Sequence, residues 1–159
     1  MNSKKSTKEI NNLISLIQKN LTDDLLKPKY RGIKGKYAGH CYVASECFYY
    51  LYGKDHGWKP YCFRNSAGET HWWLQKESEI IDITAEQLPP GYDYSRGRLQ
   101  FFVNYPSKRC KILAEKVRWQ QEWSNTFAGA AEVVAKELKT LRDVIFDEAK
   151  KNVRKLKWK

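Results

Sequence analysis

The segment from Cys41 to Gly53 constrains the fold more than any other part of the chain. It reads CYVASECFYYLYG, and apolar or aromatic residues surround the predicted helix on almost every side. A helix of that composition is normally buried in the centre of a domain. We therefore expect one core built around this helix. Gly53 is expected to end it, because glycine readily adopts a left-handed C-terminal cap.

The neighbouring segments predict an α+β domain. An amphipathic helix is expected over residues 6–21, and short strands over 60–64, 70–75, 79–83 and 100–103. Two further helices are expected over 107–123 and 125–156. This order predicts a small antiparallel sheet packed on the Cys41 helix, with an N-terminal helix and a long C-terminal helix. We expect one domain over 1–123 and a C-terminal helix with a basic tail over 124–159.

The charge balance is strongly basic. The chain has 29 Lys and Arg against 18 Asp and Glu, a formal net charge of +11. Such a surface attracts nucleic acid or an acidic protein through long-range electrostatics. No recognised nucleic-acid motif accompanies the charge. The segment 150–159 holds six Lys or Arg and no acid; it is either a solvated tail or a docking element for such a partner.

The four cysteines favour neither a zinc site nor a disulfide framework. No Cys-x-x-Cys pair occurs among Cys41, Cys47, Cys62 and Cys110, and the three histidines show no metal-ligand spacing. The polar N-terminal segment lacks the apolar run of a signal peptide, and no stretch approaches the ~20 apolar residues of a membrane span. We expect a reduced cytoplasmic protein without metal, cofactor or membrane contact.

Cys41 is predicted to be a nucleophile. It lies at the expected start of the buried helix, where free backbone N–H groups and the helix dipole stabilise a thiolate. The same N–H groups can stabilise an oxyanion when a carbonyl is attacked. Gly39 would let a substrate approach the backbone closely. Taken alone, Cys41 fits an inert buried thiol better than a nucleophile, and His71 and Asp82 in sequence reverse this preference.

His71 and Asp82 are predicted to complete the site. They lie on consecutive strands of an expected hairpin, 11 positions apart, so they can lie side by side on one face. A hydrogen bond from Nδ1–H to the carboxylate would present Nε2 to the thiolate. Asp82 stands within an Ile-rich run, and a carboxylate in such surroundings needs a specific partner.

These motifs resemble those of papain-like and transglutaminase-like cysteine enzymes. The matching runs are Gly39-His40-Cys41-Tyr42-Val43-Ala44, then His71-Trp72-Trp73, then IDITAEQ over residues 81–87. They are similar in particular to the small YunG-like proteins and to a set of small bacteriophage proteins of unassigned function. Those have a Gly-x-Cys helix start, a His-Tyr/Trp-Trp strand and an Asp-x-Thr-x-x-Gln turn. Segments 94–97 and 106–109 also resemble the phage group.

The resemblance covers residues 37–109 and implies a papain-like fold and a Cys-His-Asp triad. It implies hydrolysis, deamidation or acyl transfer on an amide, ester or thioester. A phage-encoded protein of this kind would act in the host-cell cytoplasm. Papain places an oxyanion Gln before its cysteine, and no Gln lies in residues 20–39; Gln87, Tyr37 or His40 are candidate replacements.

Further residues are candidates for substrate or oxyanion contact. They are Gly39, His40, Tyr42, Trp73, Gln87 and Arg96. For His40 we favour a solvent-facing or loop-capping role. Trp72 and Trp73 alternate across their strand, so one is expected in the core and the other facing out, where it can form a wall of the cleft.

Two other functions remain open. A papain-like scaffold without catalysis could be a basic binding protein for nucleic acid or an acidic host protein, since a fold can outlast its chemistry. An ordinary basic nucleic-acid-binding module would make Cys41 irrelevant.

Overall fold

The computed structural model describes residues 3–156, and the side chains of 7–122, 124–126, 129–148 and 150 within them. This part of the chain forms an α+β structure. Its elements are α1 (Ser3–Lys19), α2 (Cys41–Phe48), β1 (Lys59–Arg64), β2 (Thr70–Lys76), β3 (Glu79–Ile81), β4 (Arg98–Leu99) and α3 (Lys108–Leu156). The chain divides into a unit over Met1–Trp119 and a second unit over Gln120–Lys159.

The four strands form one antiparallel sheet in the order β3-β2-β1-β4. Side chains of β2 alternate between its two faces. Trp72 and Leu74 face α2, where Leu74 joins the core and the Trp72 carbonyl accepts a hydrogen bond from Ser45 Oγ at 3.0 Å. His71 and Trp73 lie on the other face. The alternation therefore separates the packing face of β2 from the face that carries the predicted base.

The core of the first unit surrounds α2, as its composition predicts. It combines buried side chains of α1, α2, the sheet and the first turns of α3. These include Leu13, Leu16, Ile17, Val43, Ala44, Cys47, Phe48, Leu74, Ile81, Cys110, Leu113 and Val117. Because α2 is buried on nearly all sides, its first residue is held firmly in place.

A buried carboxylate joins α2 to the start of α3. Glu46 is fully buried and accepts hydrogen bonds from Ser107 N at 3.0 Å and Ser107 Oγ at 2.6 Å. The Ser107 hydroxyl in turn accepts from Cys110 N at 3.2 Å, so Ser107 caps α3 as the sequence predicts. The negative charge of Glu46 lies at the positive end of the α3 dipole.

The predicted end of the Cys41 helix was wrong. Gly53 has φ −62°, so it is right-handed, and the chain continues through a π-helical turn (Tyr49–Gly53) and a 3-10 turn (Lys54–His56). The left-handed residue is Gly57, with φ 79°. Gly53 is instead packed against the next segment, because Trp58 N donates to its carbonyl at 3.0 Å.

Two other predicted boundaries were also wrong. The fourth strand is Arg98–Leu99 rather than 100–103: the only buried residue of that predicted strand is Phe102, which leaves the sheet to pack on Tyr42 and Trp72. The two helices predicted after Ser107 are one element, α3. Of the predicted basic tail, residues 157–159 and the side chains beyond residue 150 lie outside the described residues.

The second unit carries exposed apolar side chains. Each of the following is more than half exposed: Val133, Val134, Leu138, Leu141, Val144, Ile145 and Phe146. Within residues 3–156, no helix combines the length and the apolar character needed to cross a membrane.

Candidate active site

Cys41 is the first residue of α2, as predicted. The preceding turn is closed by a hydrogen bond from His40 N to the Tyr37 carbonyl at 3.0 Å. The first backbone N–H groups of a helix have no acceptor within it, so they face the thiol end of the element. The Cys41 side chain is 7% exposed, and its Sγ lies 3.5 Å from the Thr70 carbonyl at the start of β2. The thiol is therefore held between the start of a helix and a strand.

His71 and Asp82 form a buried pair. Their side chains are 9% and 3% exposed, and His71 Nε2 lies 2.7 Å from Asp82 Oδ2. The sequence predicted Asp82 within a strand over 79–83. In the structure, Asp82 directly follows the shorter strand β3. The turn from β2 to β3 brings it beside His71, since Leu74 pairs with Ile81.

Three residues hold the Asp82 carboxylate. Besides His71, the Tyr94 hydroxyl donates to Oδ2 at 2.9 Å and Thr84 N donates to Oδ1 at 3.0 Å. The Thr84 contact closes an Asp-x-Thr turn, which fixes the side chain to its own backbone. With four donor atoms from these three residues and almost no exposure of its side chain, the carboxylate has a single stable orientation.

His71 carries its proton at neutral pH. Burial opposes its positive charge more than any other single effect. Hydrogen bonds with Asp82 and Cys41, together with the charges of both groups, outweigh burial and raise the pKa of His71 to about 9. Because Asp82 occupies Nε2, Nδ1 is the ring nitrogen left for the thiol. The predicted roles of the two ring nitrogens are therefore reversed.

Trp73 supports His71 from inside the protein. It is fully buried, and its ring stacks on the imidazole with centroids 6.2 Å apart at 25°. A Cβ on Gly97 would lie 2.0 Å from Trp73 Cζ2, so only glycine fits there. The expectation that Trp73 contacts substrate is wrong, because no part of it is exposed. The half-buried Trp72 lines a cavity beside Cys41.

Gly39 and His40 brace the loop before α2. Gly39 has φ 77°, and a Cβ there would lie 2.6 Å from the Tyr30 Cβ. The glycine therefore admits Tyr30 at close range, although its backbone also lines the cavities beside Cys41. His40 is buried, with Nε2 3.1 Å from the Thr22 carbonyl. The prediction that His40 faces solvent is therefore wrong, and the alternative prediction, that it caps the loop, is confirmed.

The remaining candidates, Gln87, Tyr42 and Arg96, have different relations to the cavities around the thiol. Gln87 Nε2 donates to the Tyr37 carbonyl, so it ties the loop before α2 to the turn after Asp82. Tyr42 lines a cavity with Cys41. Arg96 lies 4.4 Å over the Phe63 ring and lines a separate cavity that Cys41 does not reach.

Two cavities meet at Cys41. The larger, of about 440 Å³, is also lined by His71, Gln87 and Tyr92. The smaller, of about 250 Å³, lies on the side of Tyr42 and Trp72. A substrate chain could therefore pass the thiol and place one group on each side of it.

Sequence reasoning missed three contributors to the site. Thr84 is part of the Asp-x-Thr motif, and its spacing from Asp82 is a usable signal for a side-chain turn. Tyr94 begins a 3-10 turn (Tyr94–Arg96) and falls in segment 94–97, which resembles the phage group but suggested no role for it. Tyr92 lies in the loop before this turn, and no motif marks it. Tyr92 lines the larger cavity, and its buried hydroxyl has no hydrogen-bond partner among the described residues.

No group of three or more His, Cys, Asp or Glu in the described part of the chain is arranged to hold a metal ion. Comparison of the chain with models of known protein families, with curated proteins and with solved structures finds no match.

Proposed function

We propose that the protein is a papain-like cysteine enzyme that performs acyl chemistry on an amide, ester or thioester. The observation that carries this proposal is the buried His71–Asp82 pair beside Cys41: His71 Nε2 lies 2.7 Å from Asp82 Oδ2, and His71 and Cys41 line the same cavity. A buried carboxylate that orients an imidazole beside a thiol is the arrangement that activates a cysteine nucleophile.

Each group has a defined role in the proposed reaction. The Cys41 thiolate attacks the carbonyl carbon, a C–S bond forms, and the carbonyl electrons move onto oxygen. His71 gives its proton to the leaving nitrogen, oxygen or sulfur as the old bond breaks. Water or an amine then attacks the thioester, its proton passes to His71, and the thiolate leaves. Asp82 keeps the imidazole oriented throughout.

Candidate oxyanion donors lie on both sides of the thiol. The first N–H groups of α2 are free of acceptors within the helix and act in a water-poor cleft. Tyr92 lines the same cavity as Cys41 and His71, and its hydroxyl has no hydrogen-bond partner among the described residues. These groups would replace the oxyanion Gln of papain.

The architecture supports the papain-like assignment. A helix that begins with the cysteine packs on an antiparallel sheet, and consecutive segments of that sheet supply the histidine and the carboxylate. This is the arrangement implied by the resemblance to the YunG-like and phage proteins. The four unpaired cysteines fit the reducing cytoplasm in which we propose that the protein acts.

A second candidate is a binding protein on the same scaffold. It is favoured by the net charge of +11 and by the group of cationic side chains beside Cys41. In that case an acidic protein or nucleic acid would bind, and Cys41 would carry no acyl group.

The two candidates separate when the protein is incubated with a panel of acyl thioesters and activated amides at pH 7. If the protein is an enzyme, mass spectrometry should show an added acyl mass on Cys41, and the leaving group should be released. Both should be lost in Cys41→Ala. The Cys62→Ala variant is the matched control, because Cys62 is also buried but has no histidine partner among its described contacts, and it should keep the activity. Equal acylation of the wild type and Cys41→Ala would refute the proposal that Cys41 is the nucleophile of an enzyme.

A further inference from the structure

The smaller cavity beside Cys41 is lined by four cationic side chains and no carboxylate. They are Lys27, Lys29, Arg64 and Arg109, which stand around a volume of about 250 Å³ together with Cys41, Tyr42 and Trp72. The larger cavity differs, because its lysines are matched by Glu69 and Glu86. The two sides of the thiol therefore present different electrostatics to a substrate.

The four charges are held by neutral groups. Arg109 Nη1 donates to the Leu25 carbonyl at 2.9 Å, and Arg64 Nη1 donates to the Gly68 carbonyl at 3.1 Å. Lys29 lies 4.7 Å from the centre of the Tyr30 ring. No salt bridge to any of the four occurs within the part of the chain that the structure describes. Mutually repelling cations around one small cavity favour a bound anion.

The positive surface continues beyond this cavity. Arg64 and Trp72 also line a third cavity, of about 440 Å³, to which Arg96 and Arg98 contribute and no carboxylate does. We call these six residues the cationic strip: Lys27, Lys29, Arg64, Arg96, Arg98 and Arg109. It begins beside the thiol in the smaller cavity and continues through Arg64 into the third cavity. Its occupant is therefore an extended molecule with several negative charges.

The aromatic side chains of the strip are poorly placed for nucleic-acid bases. Sequence-tolerant binding of single strands depends on open ring faces. Here Arg96 covers Phe63 at 4.4 Å, Lys29 covers Tyr30 at 4.7 Å, and Trp72 stacks on Phe102 with centroids 5.6 Å apart. Carboxylates need no such faces, and guanidinium groups bind them in a two-pronged geometry.

We propose that the cationic strip binds an acidic segment of a polypeptide, and that the carbonyl attacked by Cys41 belongs to that segment. This inference rests on the proposed function. The substrate is then an amide flanked on one side by Asp or Glu residues. The acidic side chains lie along the strip, and the other end of the segment enters the larger, electrically balanced cavity.

The test uses full-length Cys41→Ala protein and a fluorescent glutamate-rich peptide, with binding measured by anisotropy. The added substitutions Lys27→Glu and Arg64→Glu should weaken binding by roughly tenfold or more. Lys8→Glu and Lys54→Glu are the matched control, because both lysines are exposed, lie outside the cavities beside the sheet and change the net charge equally. The control pair should have a much smaller effect, and a glutamine-rich peptide should bind weakly to every variant.

Equal losses for the two pairs, or equal affinity for the glutamine-rich peptide, would overturn the inference. Tighter, strip-dependent binding of a single-stranded oligothymidylate would overturn it in favour of nucleic acid. Lys27→Gln with Arg64→Gln repeats the test with a milder change if the glutamate variants unfold.

The proposed function is tested separately with a small neutral electrophile on the wild type. If Cys41 is reactive but the protein does not prefer the acidic peptide, only the proposed role of the cationic strip is wrong. An inert Cys41 in a protein that binds the acidic peptide removes the claim that the peptide is a substrate.

Discussion

At the scale of single residues, the Asp82 carboxylate determines the chemistry of the site. Donors from His71, Thr84 and Tyr94 fix its orientation. Because the side chain is buried, water cannot replace these donors. A buried carboxylate of this kind is stable only while its partners stay in place. His71 is therefore held as a cation between Asp82 and Cys41.

The pH dependence of stability should report this charged state. The pKa of His71 is raised from 6.5 to about 9 in the folded protein, so protonation favours folding. Its stabilisation is complete below about pH 6.5 and is lost as the pH rises through about 9, a change on the order of 3 kcal/mol. We expect the free energy of unfolding in urea to fall over this range in the wild type, and to fall clearly less in His71→Gln.

His56→Gln is the control for this titration. His56 is an exposed turn residue outside the site, with Nδ1 2.7 Å from the Tyr52 carbonyl. Its variant should follow the wild-type pH profile. Parallel profiles for the wild type and His71→Gln would show that His71 carries no raised pKa.

At the level of helices and strands, local sequence patterns located the segments of the candidate site well. The composition of α2 predicted its burial and its first residue. The turn-separated strands predicted the hairpin that joins His71 to Asp82. The polar group within an Ile-rich run correctly indicated a specific partner for Asp82. These signals succeed because each depends on residues close together in sequence.

The boundaries that failed depend on contacts between distant segments. Phe102 packs on Tyr42 and Trp72, so the strand is replaced by an irregular segment after Leu99. The two helices predicted over 107–123 and 125–156 join through Ser124, because a serine costs only a few tenths of a kcal/mol within a helix. Tyr94 reaches Asp82 across a loop whose path no local pattern predicts.

The loop before α2 should be sensitive to a single methyl group. Gly39→Ala must place a side chain at φ 77° and within 2.6 Å of Tyr30 Cβ. Gly32→Ala is the matched control, because Gly32 has φ 81° but nothing within 4 Å of the added Cβ. We expect thermal unfolding to show a loss of about 1 kcal/mol for Gly32→Ala and roughly 1–3 kcal/mol more for Gly39→Ala. Equal losses would mean that Tyr30 moves away freely.

At the scale of the whole molecule, every residue assigned to the site and to the cationic strip lies between Lys27 and Arg109. These residues belong to the first of the two units. We therefore expect a protein truncated after Trp119 to keep the site. The rate at which iodoacetamide alkylates Cys41, read by mass spectrometry, should match that of the full chain. A fall of about tenfold or more, equivalent to 1.4 kcal/mol, would assign the second unit a part in the site.

The most direct test of the account is the alkylation rate of each cysteine in the full-length protein at pH 7. Cys62 is an internal reference, because burial and the neighbouring Cys41 raise the pKa of its thiol to about 11. We expect Cys41 to react faster than Cys62 and faster than a free thiol, and His71→Ala to abolish this advantage. A Cys41 that reacts no faster than a free thiol, or one whose rate survives His71→Ala, would contradict the central claim.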